Sequence, residues 1–332
     1  MTHSSDSFLN NRWSLGLVLG LLLLPVATPA AAWFGKDPAA WLEQMNTALG
    51  SVNYRGTFVY IHHDEADTML VIHRVDEDGT RERLVSLNGS AREVVRDDDT
   101  VKCFLPDDRA VLVEKRHDAG TLTKGVPLNA AQYDEHYAFE LQGISRIAGR
   151  KAQLIAINPR DGYRYGYRLW LDDETALPLR SELVNDQGQP IEKMIFTEIE
   201  IGVDIPDEDL DPTISGEGFE WLVQETEAHS RNRSDIPVSF NGLPAGFGIK
   251  RAEAEGEGDG RSYHVVLSDG LSSVSVFAEP VSKDRPTLAG LSKLGAVNAF
   301  GIRRDTHHVT VVGEVPEATV TAIGEAVRLA SN

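Results

Sequence analysis

Apolar positions along this chain recur mostly with a period of two, the spacing that turns one face of a β-strand toward a core. YRGTFVYI (54–61), TMLVIHRV (68–75), TRERLVSLN (80–88), TVKCFL (100–105) and AVLVEK (110–115) form one series. YAFEL (137–141), KAQLIAIN (151–158), YRYGYRLWL (163–171), LPLRSELV (177–184) and PIEKMIFTEI (190–199) form a second. Turn signals such as Asp76-Glu77-Asp78-Gly79, Asp161-Gly162 and Asp186-Gln187-Gly188 separate them. Adjacent strands with short turns imply a large antiparallel meander. A helix precedes it, with Asp37 as N-cap, Pro38 at the first position and Trp41, Leu42, Met45 and Leu49 on one stripe. A short helix is expected at Asn129 to His136.

Past Pro206, Pro212, Gly216 and Gly218 the pattern dissolves, with one strand expected near Glu220 to Val223. It resumes in a smaller set: GFGIKRAE (246–253), YHVVL (263–267), LSSVSVFAE (271–279), NAFGIRR (298–304) and HHVTVVGEV (307–315). Ser268-Asp269-Gly270 makes a tight hairpin. Pro316 starts a last helix whose stripe is Val320, Ile323 and Val327. The fold class is α+β: a large antiparallel sheet with helices, then a smaller sheet with one closing helix.

Several strands of the large sheet are apolar on both faces, and two apolar faces need two covers. Phe58, Tyr60, Leu70, Ile72, Tyr163, Tyr165, Tyr167 and Leu169 are the candidates for a second buried surface, the last four in a row that also holds Leu171. Either a filled core between sheet and helices or a curled sheet around an apolar cleft satisfies that pattern.

The start of the chain changes the compartment. Leu15 to Leu24 is apolar, Pro25 breaks the run, and Ala30-Ala31-Ala32 offers an A-x-A cleavage site before Trp33. The run is shorter than the about 20 residues of a membrane span. Residues 1–32 are expected to be a signal peptide without a lipoprotein cysteine, delivering a soluble chain to the periplasm. The boundaries that follow are 33–213 for the large domain, 214–237 for a linker and 238–332 for the small domain.

A net charge of −19 argues against nucleic acid, whose phosphates require Lys and Arg. The charge is uneven: residues 33–235 hold 22 basic and 39 acidic side chains, residues 236–332 hold 9 and 11. The single cysteine, Cys103, cannot make an internal disulfide and sits in a strand pattern as a buried thiol. No nucleotide loop, serine elbow or metal spacing is present, so neither catalysis nor a cofactor is expected. His62-His63 and His307-His308 are adjacent pairs at strand ends, where neighbouring side chains are expected to point to opposite faces and cannot easily share an ion, so a solvated turn is expected over a metal site. Arginines are the remaining chemistry: Arg74, Arg81 and Arg83 in the first half, Arg164 and Arg168 opposite the tyrosine row. They are candidate contacts for phosphate or carboxylate, unless the many acids pair them.

Specific strings carry more than periodicity. YRGTFVY (54–60), His73-Arg74, RERLVSLNG (81–89), REVVR (92–96) and the run SRIAGRKAQLIAINPRDGYRYGYRLWLDDETALPL (145–179) resemble the MucB/RseB family. So do LPAGF (243–247), SDGLSSVSVF (268–277) and VVGEVPEATV (311–320). The likeness runs in order through the mature chain, with little recognisable at 214–242. It implies a large domain like the lipoprotein carriers LolA and LolB, an unclosed β half-barrel with helices at its opening, which favours the cleft. It also implies a regulator that binds the periplasmic part of a RseA- or MucA-like anti-sigma factor and blocks its first cleavage. Lipid or lipopolysaccharide would be the release signal, and self-association as a homodimer or higher oligomer is implied. A plain periplasmic lipid or lipoprotein carrier is the alternative.

Overall fold

The structure is a computed structural model and describes residues 37–115, 133–224, 236–256, 260–281 and 287–329. It opens with α1 (Pro38–Leu49). The Asp37 carboxylate accepts the Ala40 amide at 2.7 Å, one of the first-turn N–H groups that a helix cannot satisfy itself. The buried stripe is Trp41, Leu42, Met45 and Ala48, with Leu49 half-buried at its edge.

Both series of alternating segments enter one twelve-stranded sheet. The first is β1 (Tyr54–His62), β2 (Glu65–Asp76), β3 (Gly79–Ser86), β4 (Glu93–Arg96), β5 (Thr100–Leu105) and β6 (Ala110–Lys115). The second is β7 (Tyr137–Ile147), β8 (Arg150–Pro159), β9 (Gly166–Asp172), β10 (Pro178–Val184) and β11 (Pro190–Ile201). Each series is an antiparallel meander, and the pairing of β1 with β11, from Tyr54↔Ile201 to His62↔Glu192, joins them. Gly56 is required at that seam, since a Cβ there would lie 2.5 Å from the Glu198 carbonyl oxygen. The strand expected near Glu220 is β12 (Glu220–Gln224); it pairs parallel with β6, so this part of the expected linker is an edge of the large sheet.

The sheet curls without closing, with β12 and β7 as its two edges. Leu84 on β3 and Leu169 on β9 line the same cavity although four strands lie between them. On the inner face α1 packs Trp41, Leu42 and Met45 against Ile155, Ile157, Leu169 and Leu171. On the outer face Ile72 and Leu70 meet Val203, Ile205 and Leu210, the last from the one-turn helix α2 (Asp207–Leu210).

The expected strand 163–171 begins only at Gly166. The Asp161 carboxylate accepts the Tyr163 amide at 2.9 Å and folds Asp161–Tyr163 into a turn, so Tyr163 and Tyr165 fall outside the strand. Of the helix expected at Asn129 to His136, residues 129–132 lie outside the described residues. Tyr133–His136 form one turn, closed by the Tyr137 amide on the Tyr133 carbonyl at 2.8 Å.

The smaller lobe has six strands in the order β14 (Gly248–Glu255), β15 (Ser262–Ser268), β16 (Ser273–Pro280), β19 (His307–Gly313), β18 (Val297–Arg304) and β17 (Gly290–Leu294). Helix α3 (Glu317–Ala326) covers one face, where Val320 and Ile323 meet Val265, Val276 and Val311. Val327 is not the third residue of that helical stripe: the helix ends at Ala326, and Val327 opens β20 (Val327–Leu329), paired with β13 (Val238–Phe240). The uncovered face, carrying Ser275 and Val312 as cross-strand partners, looks into the curl of the large sheet.

Candidate functional site

Alternation in the large sheet selects which side chains look inward. Tyr60 pairs with Asp67 and Met194, and Phe58 pairs with Met69, so these side chains share the concave face. Met194 pairs with Ser181, which pairs with Leu169; Glu192 pairs with Leu183, which pairs with Tyr167. These residues, with Leu84 and Arg92, form one wall of a cavity of about 690 Å³. The small lobe supplies the other wall with Leu271, Ser272, Ser273, Ser275, Val297, Val312, Gly313 and Glu314. The volume lies within the roughly 300–1,000 Å³ typical of small-molecule sites.

The cavity lining mixes apolar side chains with hydroxyl and charged ones. Phe58, Met69, Leu84, Leu169 and Met194 are the apolar part. Tyr60 donates its hydroxyl to Glu192 at 2.7 Å, and Asp67 lies 3.0 Å from His62 Nε2. Burial pushes the Tyr60 hydroxyl well above its ordinary range, helped by the bond to Glu192 and the charges of Glu192 and Glu314. Tyr167 is pushed up the same way, by burial first and then by Glu314 and Asp269, with Glu192 adding to it. Both tyrosines are therefore neutral donors at physiological pH. Lys193 and Glu182 border the cavity, but each alternates with inward-facing neighbours and turns its side chain outward. Half-buried Cys103 pairs with Val94 and Leu112; burial pushes its thiol up, which disfavours a reactive thiolate.

Of the eight apolar candidates, four meet in the cavity: Phe58, Tyr60, Tyr167 and Leu169. Leu70 and Ile72 do not, because they belong to the other set of alternating positions on β2 and pack under α2. Tyr165 packs with Leu183 and with Ala296 of the small lobe. Its hydroxyl accepts Asn298 Nδ2 at 3.0 Å, and the Tyr163 carbonyl accepts the Thr319 hydroxyl at 2.7 Å, so both tyrosines hold the two lobes together.

The arginine candidates are taken by acids. Arg74 reaches Asp76 and Asp207, each at 2.7 Å, and Arg81 reaches Asp207 and Asp211 at 3.2 and 3.1 Å. Arg83 bonds the fully buried Glu93, whose carboxylate also accepts the amides of Thr213 and Ile214. These three fasten residues 205–214 to the outer face. Arg168 faces Glu182 at 3.7 Å beside Arg180, which also bonds Glu182 and lies 4.2 Å over the Trp170 ring. Arg164 is fully buried between the lobes. Its Nε donates to Asp269 at 2.5 Å, its other nitrogens to Asp161 and the Ala245 carbonyl, and it lies 5.0 Å over Phe247. Asp269 also accepts the Tyr137 hydroxyl at 3.0 Å and the Leu271 and Ser272 amides.

Sequence reasoning passed over the small-lobe wall and Met69, Leu84, Arg92, Glu192 and Met194. Strand alternation could have found the sheet residues once β1 and β11 were known to pair; nothing local announces the small-lobe wall. Among the described residues no cluster of metal-ligating side chains occurs, and no helix is long and apolar enough to cross a membrane.

Residues 37–214 match the MucB/RseB N-terminal domain model, and residues 232–328 match the MucB/RseB C-terminal domain model. The chain is 34% identical over 324 residues to the sigma factor AlgU regulatory protein MucB of Pseudomonas aeruginosa, spanning 95% of this chain and 96% of that protein. It is 27% identical over 338 residues to the sigma-E factor regulatory protein RseB of Escherichia coli K12, spanning 95% and 97%. A solved complex of Pseudomonas aeruginosa MucA and MucB superposes with a TM-score of 0.69 at 30% identity, covering 89% of this chain and 99% of that one. With both domain models matched in order and relatives aligned nearly end to end, the chain belongs to the MucB/RseB family.

Proposed function

We propose that this protein is a periplasmic regulator of an envelope-stress sigma factor. It binds the periplasmic part of a membrane anti-sigma factor and shields that segment from the first regulatory cleavage, and a lipid in the cleft releases it. The solved relative in complex with MucA supports the protein partner. The observation that carries the lipid part is the two-walled cavity, to which both lobes contribute apolar side chains. A plain carrier could hold lipid with the curled sheet alone; a second wall from another lobe ties ligand occupancy to lobe arrangement. Acyl chains would lie on Phe58, Met69, Leu169 and Met194, with Tyr60 and Tyr167 beside them. Residues 1–32 act as an export signal, 33–213 together with β12 form the lipid-holding part, the remainder of 214–237 forms the connection and 238–332 form the partner-holding part.

The mechanism is linkage. If lipid and anti-sigma segment prefer different arrangements of the two walls, each lowers the other's affinity by the same factor. Purified mature protein is expected to slow cleavage of the anti-sigma periplasmic segment by its site-1 protease, and saturating lipid is expected to restore the rate. Equal cleavage rates with and without saturating protein refute the regulatory reading. Protection that lipid leaves untouched refutes the release step alone. Met194→Asp, which puts a charge into the apolar wall, is expected to abolish lipid release while keeping protection.

A further inference from the structure

We infer that Arg92, at the rim of the cavity, receives the phosphate head of an amphiphile whose chain lies along Met69 and Phe58. This rests on the reading of the cavity as a lipid site and adds the residue and the charge that select the head.

Three observations carry it. First, register separates the cations of the cavity lining, Arg92 and Lys193. Lys193 pairs with Glu182 and turns outward. Arg92 directly precedes β4, whose first residue, Glu93, is buried on the outer face beneath Thr213, so alternation turns Arg92 to the concave face. Its carbonyl accepts the Ser86 amide at 2.9 Å, Ser86 pairs with Met69, and Met69 pairs with Phe58. Arg92, Met69 and Phe58 therefore share one row of the concave face, with Arg92 two strand spacings, roughly 10 Å, from Met69. That row sets the direction of the ligand, head at Arg92 and chain toward Phe58.

Second, Arg92 is exposed and, among the described residues, has neither an ion pair nor a side-chain hydrogen bond. Its neighbours Arg83 and Arg96 are engaged by Glu93 and Glu82. The carboxylates of the lining are engaged too: Asp67 with His62, Glu182 with Arg180, Glu192 with the Tyr60 hydroxyl, and Glu314 is not free. Of the charges turned into the lining, Arg92 is thus left without a counterpart among the described residues. Its planar fork fits two oxygens of one phosphate, and a guanidinium is weakly hydrated enough to exchange water for that contact.

Third, the charge of Arg92 acts over the concave face. Cys103 pairs with Val94, which pairs with Leu84 of the cavity; burial raises the Cys103 thiol, and Arg92 pulls it back. The net charge of −19 repels anions from the protein as a whole, but exposed charges beyond about 8 Å are largely screened at physiological salt, so the local guanidinium decides.

The test uses the mature protein and two amphiphiles with the same short acyl chain, lysophosphatidate and monoacylglycerol, titrated as monomers by calorimetry. Arg92→Gln is expected to weaken lysophosphatidate about fivefold, equivalent to about 1 kcal/mol. Monoacylglycerol binding is expected to stay unchanged, which also shows that the variant is folded. Arg92→Lys keeps the charge without the fork and is expected to lose about twofold. Arg146→Gln removes the same net charge from an exposed position outside the lining and is expected to change neither affinity. Glycerol 3-phosphate, the head without the chain, is expected not to displace lysophosphatidate at equal concentration. Equal loss of both amphiphiles in Arg92→Gln, loss of neither, or the same loss of lysophosphatidate in Arg146→Gln overturns the inference and leaves the lipid reading standing. Displacement by glycerol 3-phosphate overturns it as well, because the site would then serve a free phosphate. If neither amphiphile binds the unaltered protein, the lipid reading falls and the inference falls with it.

Discussion

Removing the Arg164 guanidinium is expected to be the most damaging single change between the two lobes. The side chain is fully buried, as is its partner Asp269, and Arg164 also bonds Asp161 and the Ala245 carbonyl. In Arg164→Ala the Asp269 carboxylate keeps the Tyr137 hydroxyl and two turn amides but loses its only ion-pair partner among the described residues. Breaking a buried pair from one side costs about 3–5 kcal/mol, because the remaining charge stays desolvated. The lost stacking on Phe247 and Tyr137 adds to this. Urea denaturation followed by tryptophan fluorescence and by far-ultraviolet circular dichroism reads the loss. A separate early transition is expected in the variant as the lobes uncouple. Arg164→Lys restores the charge but not the three-way fork, and is expected to recover less than half. Arg164→Met with Asp269→Asn removes both charges while keeping the turn acceptor, and is expected to recover more than Arg164→Ala alone. A loss below about 1 kcal/mol in Arg164→Ala would refute the reasoning, because a buried pair would then be acting like an exposed one.

Two further expectations follow from the same physics. Burial raises the pKa of Asp172, but the Arg150 guanidinium and the Thr175 hydroxyl and amide outweigh it and hold the carboxyl below its ordinary value of 3.8. A depressed folded-state pKa contributes stability above the unfolded value, and the contribution is lost as pH falls from about 3.8 through the folded value; Asp172→Asn is therefore expected to be less stable at neutral pH and to show a shallower acid slope, and parallel slopes in the two proteins would count against it. Gly246→Ala places a methyl group 2.3 Å from His136 Nε2 at a backbone φ of +84°, so thermal stability is expected to fall, and an unchanged melting temperature would contradict the packing described there.

The binary pattern of the chain was enough for the two meanders, the first helix with its Asp37 cap and the smaller sheet with its closing helix, because local alternation and capping are decided by neighbours in sequence. The family strings were enough for a curled sheet and a second lobe. Boundaries were less legible: Tyr163 and Tyr165 alternate like strand residues, yet the Asp161 turn removes them, a competition between side chain and backbone that periodicity does not register. Val327 continues a helical stripe by spacing, but pairing with Phe240 takes it into a strand.

The candidate site depended far more on tertiary structure. Phe58 and Leu70 are both apolar strand residues, and only the register of β1 against β2 sends one into the cavity and the other under α2. Arginine composition suggested anion contacts, whereas burial beside acids made Arg83 and Arg164 structural, with Glu93 lying 10 residues from Arg83 and Asp269 105 residues from Arg164. The cavity brings Glu192 and Glu314 together from two lobes, and no local spacing encodes that. Sequence by itself determined which elements form and what family they serve, because propensity and patterning are short-range. Tertiary structure alone decided which charges face one another, because electrostatic partnership depends on distance in space.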